Sequence, residues 1–211
     1  MQYSTTDIAD ILRKDIILGN YKGGDGLGEV ALSKKFNVSR GPVRDALAML
    51  SAERMIEKRS NGRSVVIEYD IKEIRDLYEV RILLETHALQ QLDTGLYQKY
   101  KGLLHDYLKM MKEADTFEER DIETDLSFHY LLVKMSGNET LMHLWNVQRN
   151  IFRTLVDITS EVTLSNQDEI IGQHISLVEA LEVQDIDSAR HILAAHLNDA
   201  CEYCCKGKSL L

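Results

Sequence analysis

The stretch Asn37-Val-Ser-Arg-Gly-Pro-Val-Arg-Asp-Ala-Leu-Ala-Met-Leu50 decides the fold of this chain, and it contains the sequence's single proline, Pro42. A proline in a helix interior removes a hydrogen bond and clashes with the preceding turn, but the first turn tolerates it. Ser39 reads as the N-cap, so Arg40, Gly41 and Pro42 are the first three helical positions. Their N–H groups would have no partner within the helix in any case. Beyond them Val43, Ala46, Leu47 and Leu50 recur at i, i+3, i+4 and i+7, which makes one apolar face. Arg40 and Arg44 lie four apart on the other side. A short helix with a buried back and two guanidinium groups near its N-terminus can reach guanine edges or phosphates in a major groove. The plainer alternative is an amphipathic helix with two solvated arginines, and the neighbouring segments decide between them.

Upstream, residues 6–18 carry Ile8, Ile11, Leu12 and Ile16 on one helical face, and Gly19 stands where a C-cap glycine would. Asn20 to Gly28 holds four glycines and reads as a loop. Glu29 to Phe36 reads as a short helix, with Val30, Leu32 and Phe36 as its apolar points. Asn37-Val38 is then the tight turn into the arginine-bearing helix, giving a helix-turn-helix. Downstream, Met55 to Arg59 and Ser64 to Ile67 flank Ser60-Asn61-Gly62-Arg63, an Asn-Gly hairpin signal. Lys58, Arg59 and Arg63 surround its tip. A basic hairpin following a helix-turn-helix reads as a wing that touches DNA, against the alternative of a plain capping hairpin.

Charge divides the chain in the same way. Its 211 residues carry a formal net charge of −9, which argues against nucleic-acid binding only until it is apportioned. Residues 1–69 hold 11 Lys+Arg and 9 Asp+Glu, and residues 70–211 hold 14 and 25, so the acidic excess lies wholly in the second part. Two domains with different partners are expected, 1–69 and 70–211. No apolar run reaches the roughly 18 residues of a membrane span. The N-terminus carries acidic residues and polar breaks and does not read as a signal peptide, so a cytoplasmic protein is expected.

From Asp70 onward the pattern is helical. Apolar stripes run over 71–92, 97–114, 117–135, 139–161, 168–183 and from Asp185 or Asp187 to about Cys204, with breaks at Thr94-Gly95 and Ser136-Gly137-Asn138. Six helices without a convincing strand predict an all-α bundle. Within it Asp125 and His129 share one helix face, and His174 and His196 lie on two later helices. Imidazole and carboxylate groups at helical spacing suit Zn, Ni, Mn or Fe, provided the helices converge. Otherwise each histidine is a hydrogen-bonded core or surface residue. Cys201, Cys204 and Cys205 end the last helix without a second cysteine pair, and they read as reduced thiols before a metal or redox cluster. His87, His105, His143 and His191 read as structural or solvent-facing. Arg149 and Arg153, four apart, suit either a pocket or a dimer face.

Two resemblances sharpen this reading. Gly19, Gly24, Leu27, Leu32 and Phe36, then Val38-Ser39-Arg40-Gly41-Pro42-Val43-Arg44-Asp45-Ala46-Leu47, then Leu50 and Gly62, resemble the winged-helix domain of GntR-type bacterial transcription regulators. The resemblance implies base and phosphate contact from Arg40 and Arg44 and wing contact at Gly62. The expected DNA-binding set is therefore Ser39, Arg40, Gly41, Arg44, Gly62 and Arg63. Two departures stand out: Val30 occupies a position where relatives often carry arginine, and Gly23-Gly24 replaces the usual Pro-Gly.

Glu79-Val80-Arg81 with Leu84-Glu85, Asp125-Leu126-Ser127-Phe128-His129, Ser136-Gly137-Asn138, His174, Asp185 through Ala189-Arg190, and His196-Leu197 resemble the FCD effector domain. This domain occurs in the FadR and VanR branches, and its short, VanR-like form suits the length of this chain. The resemblance implies that Asp125, His129, His174 and His196 hold a divalent metal, with zinc first and nickel, manganese or iron as alternatives. It implies that Arg81 meets the acid group of a small organic or sugar acid effector; the alternative for Arg81 is a salt bridge to a glutamate of another helix. The expected protein is a homodimeric regulator, not an enzyme, that binds a palindromic operator under effector control. The rival is a metal-dependent hydrolase fused to a DNA-binding domain, which would need a general base that the motif pattern does not supply.

Overall fold

The computed structural model describes residues 3–113, 122–163 and 167–209. The chain divides into two compact units, residues 1–74 with 207–211, and residues 75–206. The predicted start of one bundle helix at Phe117 lies outside the described residues.

In the first unit, α1 (Thr5–Leu18) opens on a capping box between Ser4 and Asp7 and closes on Gly19 at φ 84°. A two-residue strand β1 (Gly26–Leu27) precedes α2 (Glu29–Lys35) and α3 (Arg40–Ala52). The hairpin strands are β2 (Ile56–Lys58) and β3 (Ser64–Val66). The glycine-rich segment is therefore not all loop. Gly26 pairs with Val65 and Leu27 with Ser64, so the sheet has three antiparallel strands in the order β1-β3-β2. The Asn-Gly pair also does not form a two-residue turn. The N–H of Gly62 donates to the Arg59 carbonyl at 2.8 Å, and Gly62 takes φ 79°. That is a longer loop in which glycine supplies the left-handed residue.

Of the faces read from the periodicity, Ile8, Leu12 and Ile16 of α1 and Val43, Ala46 and Leu50 of α3 are core, all at most 1% exposed, whereas Ile11 is only half-buried and Ala9 and Ile17 are buried in addition. Arg13 is fully buried among them, and its guanidinium bonds Glu53 at 2.7 and 2.8 Å and Asp10 at 2.5 Å. It thus fastens α1 to the C-cap of α3. The end of the chain belongs to the same unit. Lys208 donates to the carbonyls of Ile17 and Tyr69, placing a cation at the C-terminus of α1, where the helix dipole favours one.

The second unit is helical: α4 (Ile71–Gln90), α5 (Thr94–Glu113), α6 (Ile122–Lys134), α7 (Glu139–Val162), α8 (Gln167–Glu182) and α9 (Ile186–Ser209). The first turn of α4 and the end of α9 are counted with the first unit. The helix break expected at Thr94-Gly95 falls at residues 91–93, and Thr94 already opens α5, because Asp93 caps that helix through the Leu96 N–H at 2.7 Å. Asn138 caps α7 and Asp185 caps α9, as their positions predict. Trp145, Phe128, Phe152, Leu155 and Leu193 are all fully buried and fill the bundle centre.

Candidate functional site

Several exposed basic groups of the first unit lie on α3 and the hairpin. Ser39, Arg40, Gly41 and Arg44 are exposed, as are Lys58, Gly62 and Arg63. Arg44 of α3 and Lys58, Gly62 and Arg63 of the hairpin line a single groove of about 720 Å³. The Arg44 side chain is 67% exposed and lies 3.5 Å from Glu29, a contact that screening keeps weak and that a stronger anion can displace. Ser39 is the N-cap of α3, but its hydroxyl makes no capping bond. One of the two N–H groups that an N-cap side chain can reach is missing, because the third helical residue is Pro42. The helix N-terminus consequently keeps donors for an anion.

The second unit brings together residues that the sequence scatters over three helices. One ligand atom from each of Asp125, His129, His174 and His196 lies within 4.8 Å of the others. His129 and His174 are at most 2% exposed and His196 is 8% exposed. Each imidazole has its Nδ1 against an acceptor: Glu85 Oε2 at 2.6 Å for His129, the Ile170 carbonyl at 2.8 Å for His174, and Gln173 Oε1 at 2.8 Å for His196. The Gln173 amide is oriented in turn by its Nε2, which donates to Asp199 at 2.8 Å. With the proton on Nδ1, each Nε2 keeps its lone pair.

The Nε2 atoms of His129 and His174 are buried with no hydrogen-bond partner among the described residues. Asp125 Oδ1 is 3.4 Å from His174 Nε2 and 3.9 Å from His129 Nε2, without hydrogen-bond geometry to either. Buried polar atoms left unpaired cost free energy, so a cluster of them calls for an occupant. Burial, together with the neighbouring His174 and His129, holds His196 well below its ordinary range, so it is neutral at pH 7. Burial pushes Asp125 upward, but the imidazoles of His129 and His174, with Arg81, outweigh it and hold the carboxylate far below its usual range. Three imidazoles whose Nδ1 atoms are engaged elsewhere and an ionised carboxylate offer the nitrogen and oxygen donors that a divalent metal takes, and this set fits Zn²⁺ or a similar borderline ion.

Glu85, on α4, carries a role that the sequence reading did not assign. Besides His129 it accepts from Arg81 Nε at 2.8 Å and from Trp145 Nε1 at 2.9 Å. Burial opposes its ionisation, yet His129 and Arg81 hold its pKa down to about 2. It is the carboxylate behind a ligating-type histidine, which fixes ring and tautomer. The Arg81–Glu85 pair lies within α4 at i, i+4, not between two helices as the sequence alternative had it. Arg81 is 1% exposed, its guanidinium carbon sits 5.3 Å from the Phe152 ring centre, and its Nη2 has no partner among the described residues.

Arg81, Asp125, His174 and His196 all line one cavity of about 160 Å³. Arg149 and Arg153 are taken up by Glu123 at 2.6 and 2.9 Å. The cysteines lie elsewhere on α9, buried and reduced, with the Cys201 thiol pushed up to about 12 by burial and by Cys205. His87, His105, His143 and His191 are exposed. Among the described residues, no helix is long and apolar enough to cross a membrane.

A winged helix-turn-helix and a helical bundle with a cavity are an architecture found in DNA-binding transcription regulators. Residues 4–67 match the family described as bacterial regulatory proteins, gntR family, and residues 76–199 match the FCD domain. The chain belongs to the GntR family, with an FCD domain as its C-terminal part. It is similar to the gluconate operon transcriptional repressor of Bacillus licheniformis, with 28% identity over 91% of this chain and 81% of the relative. The protein of the same name from Bacillus subtilis is 29% identical over 84% of this chain and 75% of the relative. Among solved structures, Lar of Listeria monocytogenes, described as controlling expression of the agr system, shares the fold, with a TM-score of 0.67 over 98% of both chains at 17% identity.

Proposed function

We propose that this regulator binds a palindromic operator as a homodimer, through residues 1–69, and that residues 70–211 control this binding by holding a small carboxylate at a metal. The observation that carries the proposal is the convergence of the His129, His174 and His196 imidazoles and Asp125 beside the buried, partly unpaired Arg81. Asp125, His129, His174 and His196 hold the metal, zinc first among the candidates. The metal, when bound, supplies a Lewis-acidic anchor for a carboxylate oxygen. Arg81 supplies N–H donors for the acid group, and Glu85 keeps both Arg81 and His129 in place. The named repressors among the relatives support regulation over hydrolysis, and two of them act on a gluconate operon, which suits an acid effector. A difference in effector affinity between the DNA-binding and released states would then shift operator occupancy. Titration of operator DNA by the zinc-loaded chain, with and without candidate acids, tests the whole reading.

At the DNA interface Ser39, Arg40, Gly41, Arg44, Gly62 and Arg63 make the contacts. Arg44→Ala should weaken operator binding by about 1–3 kcal/mol if the guanidinium grips a guanine edge. The melting temperature should hold, since the buried face of α3 is untouched. Unchanged affinity in a mobility-shift titration at fixed salt would remove α3 as the reader. Val30, on α2, is 47% exposed. An arginine there would face solvent and could reach a phosphate, so Val30→Arg should raise affinity for nonspecific DNA and steepen the salt slope by about one unit. An identical slope in variant and parent would show that this face of α2 stays away from the backbone.

A further inference from the structure

Within the cavity, the polar groups of the lining are largely engaged with one another. Thr159 Oγ1 donates to the Ala200 carbonyl at 3.4 Å, and Thr163 Oγ1 donates to the Thr159 carbonyl at 2.9 Å. Gln167 Nε2 reaches Thr163 at 3.5 Å, and Gln173 is held at both ends by Asp199 and His196. Of the fully buried lining atoms, Arg81 Nη2 and His174 Nε2 have no hydrogen-bond partner among the described residues, and both lie at the end where the acid group is placed above. Thr124, Ser160 and Tyr203 also line the cavity, and beside them lies a hydrocarbon and thioether patch: Met110 and Met111 of α5, Ile122 of α6, Val156 of α7, and Ile170 and Ile171 of α8. Met110 is 50% exposed although it lines this cavity, and a pliable thioether at such a position suits contact with an apolar guest.

We infer that the effector is a monocarboxylic acid with a hydrocarbon body, and that Met110, Met111, Ile170 and Ile171 form the wall that selects it against polyhydroxy acids. The inference rests on the reading that Arg81 and the four-residue cluster take the acid group. Each hydroxyl of a sugar acid needs a hydrogen-bond partner on leaving water, and the side chains of Met110, Met111, Ile170 and Ile171 offer nothing stronger than a thioether. A hydrocarbon chain gains from the same wall by leaving water. The chain therefore differs in ligand class from what the gluconate operon relatives would suggest.

The test compares two six-carbon acids, hexanoate and D-gluconate, by calorimetry and thermal shift on the full zinc-loaded chain and on the same chain stripped of zinc. Hexanoate should bind the zinc-loaded chain on the order of 100-fold more tightly than gluconate. Met111→Gln should cost about tenfold of the hexanoate affinity without changing zinc content. Ile171→Thr should do the same and serves as a second wall variant. Tighter binding of gluconate would overturn the apolar wall while leaving the acid-binding reading standing. Tight hexanoate binding that ignores zinc would keep the wall and remove the cluster's role in holding the acid. Binding of neither acid to the zinc-loaded chain would overturn both.

Discussion

Replacing His174 by alanine is expected to abolish stoichiometric metal binding and to make the protein's thermal stability indifferent to chelators. The imidazole is 2% exposed, its Nδ1 is held by the Ile170 carbonyl, and its Nε2 has no other partner among the described residues. A metal bound by residues from α6, α8 and α9 ties three helices together in the folded state only. At a free metal concentration 1,000 times the dissociation constant, that linkage stabilises by about 4 kcal/mol. For a protein of this size it corresponds to about 8–16 °C of melting temperature. Chelation should therefore lower the melting temperature of the parent by that order and leave His174→Ala unmoved. Helix content should persist in both, because Leu126, Phe128, Leu131 and Leu132 of α6 pack without the metal. Elemental analysis and thermal scans with and without chelator check this. A parent that holds no stoichiometric metal after reconstitution would make the four residues a buried polar network and remove the metal from the sensing reading.

How far the sequence reveals these features depends on how local their causes are. The arginine-bearing helix is legible because its cap, its proline and its apolar period sit within 14 residues, and the structure returns the same face, with Val43, Ala46, Leu47 and Leu50 buried. Strand β1 is not legible, since two residues carry no period and exist as a strand only through β3. The hairpin is legible from Asn-Gly, and β2 and β3 pair as expected; the length of the loop is not, since here the glycine closes a loop longer than two residues. Asp125 and His129 are readable as neighbours from their spacing of four, but the arrival of His174 and His196 is a tertiary event that spacing cannot supply. The residue types named all four as candidates; only the family resemblance implied that they act together. Glu85 and Gln173 escaped for the same reason: a glutamate or glutamine within a helix usually faces water. The one local signal was Arg81 four residues before Glu85, a pair on one face of α4 that is otherwise apolar in Tyr78, Leu84, Ala88 and Leu89.

That pair supplies the second large effect. Glu85→Ala should destabilise the protein by about 3–5 kcal/mol, because it leaves the Arg81 guanidinium buried without its counter-charge. It would also orphan Trp145 Nε1 and release His129 Nδ1, both of which donate to this carboxylate. The charge and the hydrogen bonds can be separated. Glu85→Gln keeps the shape and an acceptor for Trp145 but removes the negative charge, so it should fold while weakening zinc about 10–100-fold through the loosened His129. Replacing the pair together, Arg81→Met with Glu85→Leu, removes the uncompensated charge and should recover most of the stability lost in Glu85→Ala, since hydrophobic replacements of buried pairs are often neutral. The double variant should nonetheless fail to bind the acid, having lost the guanidinium. Denaturant titrations of the three variants and zinc competition with Glu85→Gln decide the matter. A Glu85→Ala protein within about 1 kcal/mol of the parent, or a Glu85→Gln protein with undiminished zinc affinity, would show that this carboxylate neither compensates Arg81 nor positions His129.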